Sequence, residues 1–151
     1  MKEVTIDYAL RTTWQAVIRM YNEQAAKFDT TMSTGFALLS IDPDEGTPST
    51  SLGPRMGMEA TSLSRTLKSM EERGLIVRKP NPEDGRGVLI YLTEFGKEKR
   101  DYSKDRVLKF NDAIKNNVSQ EQLKHFFEVI ETINDLISNK KIYTNEILKY
   151  E

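Results

Sequence analysis

Apolar residues return along the first part of the chain on one helical face. Ile6, Leu10, Val17, Tyr21, Ala25 and Phe28 stand three, four or seven positions apart, and Trp14 and Ile18 widen the stripe. This spacing predicts a helix over 6–28. A shorter helix is predicted over 32–39, with Thr30 or Thr31 at its N-cap. Residues 41–46 (Ile41-Asp42-Pro43-Asp44-Glu45-Gly46) read as a polar loop with two breakers. Thr47-Pro48 then reads as a helix start, threonine capping and proline at the first helical position. Gly53-Pro54 is awkward inside that helix. Proline lacks the N–H and clashes one turn back, at a cost of about 3 kcal/mol. The helix is expected to be short, kinked or broken near Gly53.

From Glu59 to Arg73 the apolar residues Leu63, Leu67 and Met70 follow a four-three spacing, a narrow core-facing stripe. Gly74 suits the left-handed position after the helix. Leu75 to Lys79 and Val88 to Leu92 are strand segments, with Pro80, Pro82, Gly85 and Gly87 between them. They predict a hairpin with a long polar tip. Thr93 would cap a helix running to about Asn116. Ser119 and Gln122 match a capping box, in which each side chain satisfies the other's backbone donor. The helix it opens, over 120–138, carries Leu123, Phe126, Phe127, Ile130, Ile133 and Ile137 on one broad face. The tail beyond Lys140 holds Ile142, Tyr143, Ile147 and Leu148, the residues for a last short helix.

At 151 residues the chain suits one domain, or one domain with a helical extension. The absence of cysteine excludes disulfides, thiol redox sensing and cysteine-rich zinc sites. The single histidine, His125, cannot build a multi-histidine site and reads as a polar or half-buried helix residue, although carboxylates could still hold a hard cation. No nucleophile–base pair or phosphate loop emerges, so no enzyme, cofactor or metal is expected. No apolar run approaches the roughly 20 residues that span a bilayer. The N-terminus lacks an apolar signal core, so a cytoplasmic location is expected.

Net charge is −1, unlike a strongly basic nucleic-acid binder. Its distribution is uneven. Between Arg55 and Gly87 seven cations face five anions, leaving +2 there and −3 elsewhere. A helix in the major groove presents short polar or basic side chains from its first turns. Thr61, Ser62, Ser64, Arg65 and Lys68 point away from the Leu63/Leu67 stripe. Arginine can bond guanine in two-pronged fashion, and serine or threonine can read bases or hold phosphate. An ordinary solvated helix face would carry similar residues. The flanking pattern favours DNA: Gly57 lies at an inter-helix turn, and Gly74 ends the helix just before the hairpin.

Turn, amphipathic helix, glycine stop and basic hairpin are the parts of a winged helix-turn-helix. With Asp84-Gly85-Arg86 at the hairpin tip and Leu92-Thr93-Glu94-Phe95-Gly96 after it, the chain resembles the MarR family of bacterial transcription regulators. The resemblance spans nearly the whole chain and is sharpest from Met56 to Gly96. It implies a mainly α fold with a small β-hairpin wing. It implies that residues 1–151 form a single MarR-like domain, in which 30–96 would be the winged helix-turn-helix DNA-binding module and 1–29 and 97–151 a helical region that builds a two-fold dimer. It implies that Arg86 enters the minor groove while Asp84 orients wing residues. Arg78 and Lys79 stay open: either could touch phosphate, or Arg78 could pair with Asp84. The partners implied are an approximately palindromic double-stranded operator, a second copy of the chain, and a small lipophilic or aromatic effector. Candidate effector-lining residues are Trp14, Met20, Tyr21, Met32 and Phe36, which plain core packing would equally use. The function expected is that of a homodimeric, sequence-specific transcription regulator, a repressor released by an effector. The alternative is a winged-helix protein-interaction module without specific DNA binding.

Overall fold

The computed structural model describes residues 3–144. Nine elements follow in order: α1 (Ile6–Ala26), α2 (Met32–Ser40), β1 (Thr47–Pro48), α3 (Ser49–Met56), α4 (Ala60–Glu72), β2 (Ile76–Asn81), β3 (Asp84–Leu92), α5 (Glu94–Asn117) and α6 (Gln120–Ser138). The fold is mainly helical, with a small antiparallel sheet in the order β1-β3-β2. The chain divides into two compact units, one up to Leu108 and one from Lys109.

The first unit contains the core. Leu38, Ile41, Leu52, Met70, Leu75, Ile76 and Ile90 are almost completely buried, joined by Ala37, Leu63 and Leu67. Each large side chain removed from water contributes about 1.5–3 kcal/mol. One stripe each from α2, α3 and α4 therefore meets one face of the sheet. Ile76 and Ile90 are the strand residues buried on that face, and Val77, pointing the other way, is exposed. Local signals set the helix ends. Thr31 Oγ1 accepts from Thr34 N at 3.2 Å and caps α2. Gly74 has φ 76 and closes α4 in the left-handed conformation. Thr93 Oγ1 accepts from Gly96 N at 2.9 Å and donates to Gly74 O at 2.6 Å, so one hydroxyl joins the start of α5 to the α4–β2 turn.

Two sequence expectations change here, and a third, that α3 is short, kinked or broken near Gly53, holds only as a short helix. Thr47 and Pro48 do not open a helix. They pair with Ile90 and Leu89 as β1. Thr47 is buried, its hydroxyl accepts from Asp42 N at 2.9 Å, and α3 begins at Ser49. A two-residue strand is held by its distant partner, a pairing that local propensity does not carry. Pro54 does not break α3, which is continuous over its eight residues and ends at Gly57 with φ 62. The first four N–H groups of a helix are unpaired in any case. Pro54 is the sixth residue and costs one bond, to the exposed Thr50. The hairpin tip is not long: Asn81 pairs with Asp84 across a Pro82-Glu83 turn.

The second unit comprises the end of α5 and all of α6. Ser119 and Gln122 form the complete reciprocal capping box, with bonds of 2.9 and 3.0 Å. No residue of α6 is buried; Phe126, Phe127 and Ile137 are more than half exposed. His125 lies exposed on α6 with its Nδ1 3.0 Å from Glu128 Oε2. Ile142 and Tyr143 are exposed, and Ile147 and Leu148 lie outside the described residues.

Candidate nucleic-acid interface

Burial of Leu63, Leu67 and Met70 fixes the rotation of α4, so Thr61, Ser62, Ser64, Arg65 and Lys68 are all exposed. Glu59 is the N-cap, and no side chain caps the helix. Its first-turn N–H groups therefore remain available to an outside acceptor, at the positive end of the helix dipole. The left-handed Gly57 supplies the sharp turn between α3 and α4.

The wing is shaped by side chains acting on backbone. Asn81 Oδ1 accepts from Glu83 N at 3.0 Å. Asp84 Oδ1 accepts from Arg86 N at 3.1 Å. Pro80 faces Val88 while Asn81 faces Asp84, so Gly85, Arg86 and Gly87 form a bulge in β3. The bulge is tight at Gly87, where a Cβ would lie 3.1 Å from Asp84 Oδ2 and 3.3 Å from Asn81 Cβ, so a side chain there would displace the Asp84 carboxylate by a few tenths of an ångström. Arg86 is exposed. The Asp84 carboxylate therefore takes the backbone of Arg86 and leaves its guanidinium outward.

Arg78 pairs with Glu71, Nε to Oε2 at 3.2 Å, and not with Asp84. This ion pair ties the wing to α4. Lys79 sits with its ammonium 4.8 Å from the centre of the Tyr91 ring. Sequence reasoning passed over a groove of about 600 Å3 between α3 and α4, lined in part by Ser49, Thr50, Ser64 and Arg78. The run Ser49-Thr50-Ser51 after a proline could have marked it. Arg55 was also passed over; its Nη1 donates to Ser40 O at 3.0 Å.

The candidate effector residues separate. Tyr21, Met32 and Phe36 line one cavity with Gln24, Thr30 and Tyr102, whereas Trp14 and Met20 do not. Trp14 is half exposed. Tyr21 and Phe36 meet edge to face at 5.8 Å, and burial pushes the Tyr21 phenol above its ordinary pKa. The cavity measures about 30 Å3, the volume of roughly one water. Thr30 Oγ1 is buried without a hydrogen-bond partner. A ring-sized molecule needs this site to open. Among the described residues no group of three or more His, Asp or Glu could hold a metal ion. No helix among them is long and apolar enough to cross a membrane.

The profile of the MarR family matches residues 30–88. The uncharacterized HTH-type transcriptional regulator YdgJ of Bacillus subtilis is 30% identical over 88 residues, which are 58% of this chain and 54% of that protein. The HTH-type transcriptional regulator SarZ of Staphylococcus haemolyticus is 32% identical over 89 residues, 59% of this chain and 60% of that protein. The match thus spans under two thirds of either relative. Among solved structures, the S. aureus MepR–DNA complex superposes with a TM-score of 0.80 at 18% identity, covering 89% of this chain and 99% of that one. The PcaV transcriptional regulator from Streptomyces coelicolor, in complex with its natural ligand, gives 0.74 at 22% identity, covering 89% and 98%. At these identities the structures establish the fold.

Proposed function

We propose, from the MarR family model that matches residues 30–88, that the chain is a homodimeric, sequence-specific DNA-binding transcription regulator. Residues 30–96 act as the DNA module, and 1–29 with 97–151 as the dimerisation region. α4 reads the major groove through Thr61, Ser62, Ser64, Arg65 and Lys68, while Arg86, positioned by Asp84, enters the minor groove. One observation carries this assignment: Asp84 holds a bulged Arg86 outward at the wing, next in sequence to a helix whose apolar stripe turns Arg65 and Lys68 to the surface. Its relatives' names as transcription regulators and the MepR–DNA complex support it.

A second copy of the chain is the partner that the apolar face of α6 calls for, since no residue of that helix is buried in the single chain. Two-fold symmetry then matches an approximately palindromic operator. We assign the regulator as a repressor released by a small lipophilic or aromatic effector. PcaV's structure with its natural ligand is in keeping with this, and Tyr21, Met32 and Phe36 are the residues this chain offers, once the cavity opens.

The test is a mobility shift on the protein's upstream region, followed by binding to operators mutated position by position. Arg65→Ala should relax preference at one base position per half-site, because a two-pronged arginine–guanine pair discriminates by about 1–3 kcal/mol. Arg86→Ala should weaken binding broadly, most where the flanks are A·T-rich, because groove width is read there. Thermal melting should change little, since both side chains are exposed. Wild-type affinity of both variants on every operator would sink the assignment in favour of a protein-interaction module.

A further inference from the structure

A cleft of about 500 Å3 opens where α1 ends, α4 ends and α5 begins, lined by Lys27, Phe28, Asp29, Arg73, Phe95 and Lys99. It shares no residue with the reading face of α4 or with the small cavity beside Tyr21. Arg73 and Lys99 are engaged only by neutral groups. The Arg73 guanidinium donates to the backbone carbonyl of Asp29. The Lys99 ammonium donates to the carbonyl of Phe28 at 3.4 Å and lies 5.6 and 5.3 Å from the ring centres of Phe28 and Phe95. Among the described residues no carboxylate pairs with Lys27, Arg73 or Lys99.

Three cations against the single carboxylate of Asp29 leave the cleft at +2, in a chain whose net charge is −1. Two aromatic rings flank these charges, each 42% exposed. A carboxylate would offer one charge and two oxygens. A phosphomonoester carries about −2 near neutral pH and three acceptor oxygens. It suits a planar guanidinium fork flanked by ammonium groups. The Phe28 ring already packs on Tyr102, with 3.6 Å between ring centres, and the surface that Phe28 and Phe95 leave exposed gives a flat group an apolar contact.

We propose that this cleft binds a phosphomonoester attached to a flat ring, the chemistry shared by an aryl phosphate and a nucleoside monophosphate. The phosphate takes Arg73 and Lys99 from the carbonyls of Asp29 and Phe28, and the ring packs on Phe28 or Phe95. If α4 reads DNA, occupancy reaches the end of that helix through Arg73. That consequence rests on the proposed function. The binding itself does not, and it is measured without DNA, so the two fail separately.

Calorimetric titration of the full chain with phenyl phosphate and with adenosine monophosphate tests it, and the tighter probe identifies the source. At least one should saturate with a Kd of about 1 mM or tighter. Inorganic phosphate and benzyl alcohol should each bind at least tenfold more weakly. Arg73→Gln should lose tenfold or more. Lys27→Gln, whose ammonium holds no carbonyl of the turn, should lose threefold or more with unchanged melting. Lys124→Gln, the same charge change on α6, should bind like wild type. The proposal is overturned by no saturable binding of either probe at about 10 mM, by wild-type affinity in both Lys27→Gln and Arg73→Gln, by an equal loss in Lys124→Gln, or by inorganic phosphate binding as tightly as the ringed probes.

Discussion

Single atoms decide several features of this protein. Gly96 lies at the start of α5, where a Cβ would overlap the carbonyl of Leu75. The obstacle is backbone and cannot rotate away. Gly96→Ala should therefore destabilise the first unit by about 1–3 kcal/mol, the usual cost of overpacking, or more. Chemical denaturation measures it, and an unchanged midpoint would contradict the close approach. Gly96 was legible as part of a junction pattern, and its packing reason is visible only in the fold. The outward set on α4 was legible in full, because Leu63, Leu67 and Met70 fix which side faces water. The partner of Arg78 was not. Glu71 becomes its neighbour only once the hairpin folds back on α4, and local sequence offered Asp84 instead. Trp14 and Met20 were grouped with Tyr21, Met32 and Phe36 as aromatic or flexible apolar residues, but one-dimensional spacing does not say which of them share a cavity.

Among the elements, those set by local chemistry were readable. The 120–138 helix follows from its capping box, and α4 from its stripe and left-handed Gly74. Those set by distant partners were not. β1 exists because Thr47 and Pro48 meet Ile90 and Leu89. The bulge at Gly85, Arg86 and Gly87 exists because Asp84 and Asn81 bond the nearby backbone. α3 tolerates Pro54 because the helix is short and the vacated acceptor is exposed. Thr93 is the connection whose loss should be most visible at this scale, since its hydroxyl serves both α5 and the α4–β2 turn. Thr93→Val should cost about 1–2 kcal/mol, as a lost cap and a lost hydrogen bond, and Thr93→Ser should recover most of it. Equal stability of Thr93→Val and wild type in urea would mean that the cap contributes nothing.

At the scale of the whole molecule, the apolar side chains of α6 are a feature the single chain does not use. Phe126, Phe127 and Ile137 stay exposed there, and the proposed dimer covers that face. A charge buried unpaired costs several kcal/mol, so Phe127→Asp and Ile133→Asp should sediment as monomers or fail to fold. Stable dimers with wild-type melting in both would place the interface elsewhere. DNA binding is the central claim, and net charge argues neither way, because −1 overall coexists with +2 between Arg55 and Gly87. What matters is how many phosphates Arg65, Lys68, Arg86 and nearby donors neutralise in the two subunits. The direct measurement is the affinity of the full chain for duplex from its own upstream region across a salt series. Each phosphate neutralised contributes about −0.9 to the slope of log K against log salt. The account predicts a steep negative slope, and one that becomes shallower in Arg86→Ala. A slope near zero, or no binding to any duplex at low salt, would contradict it.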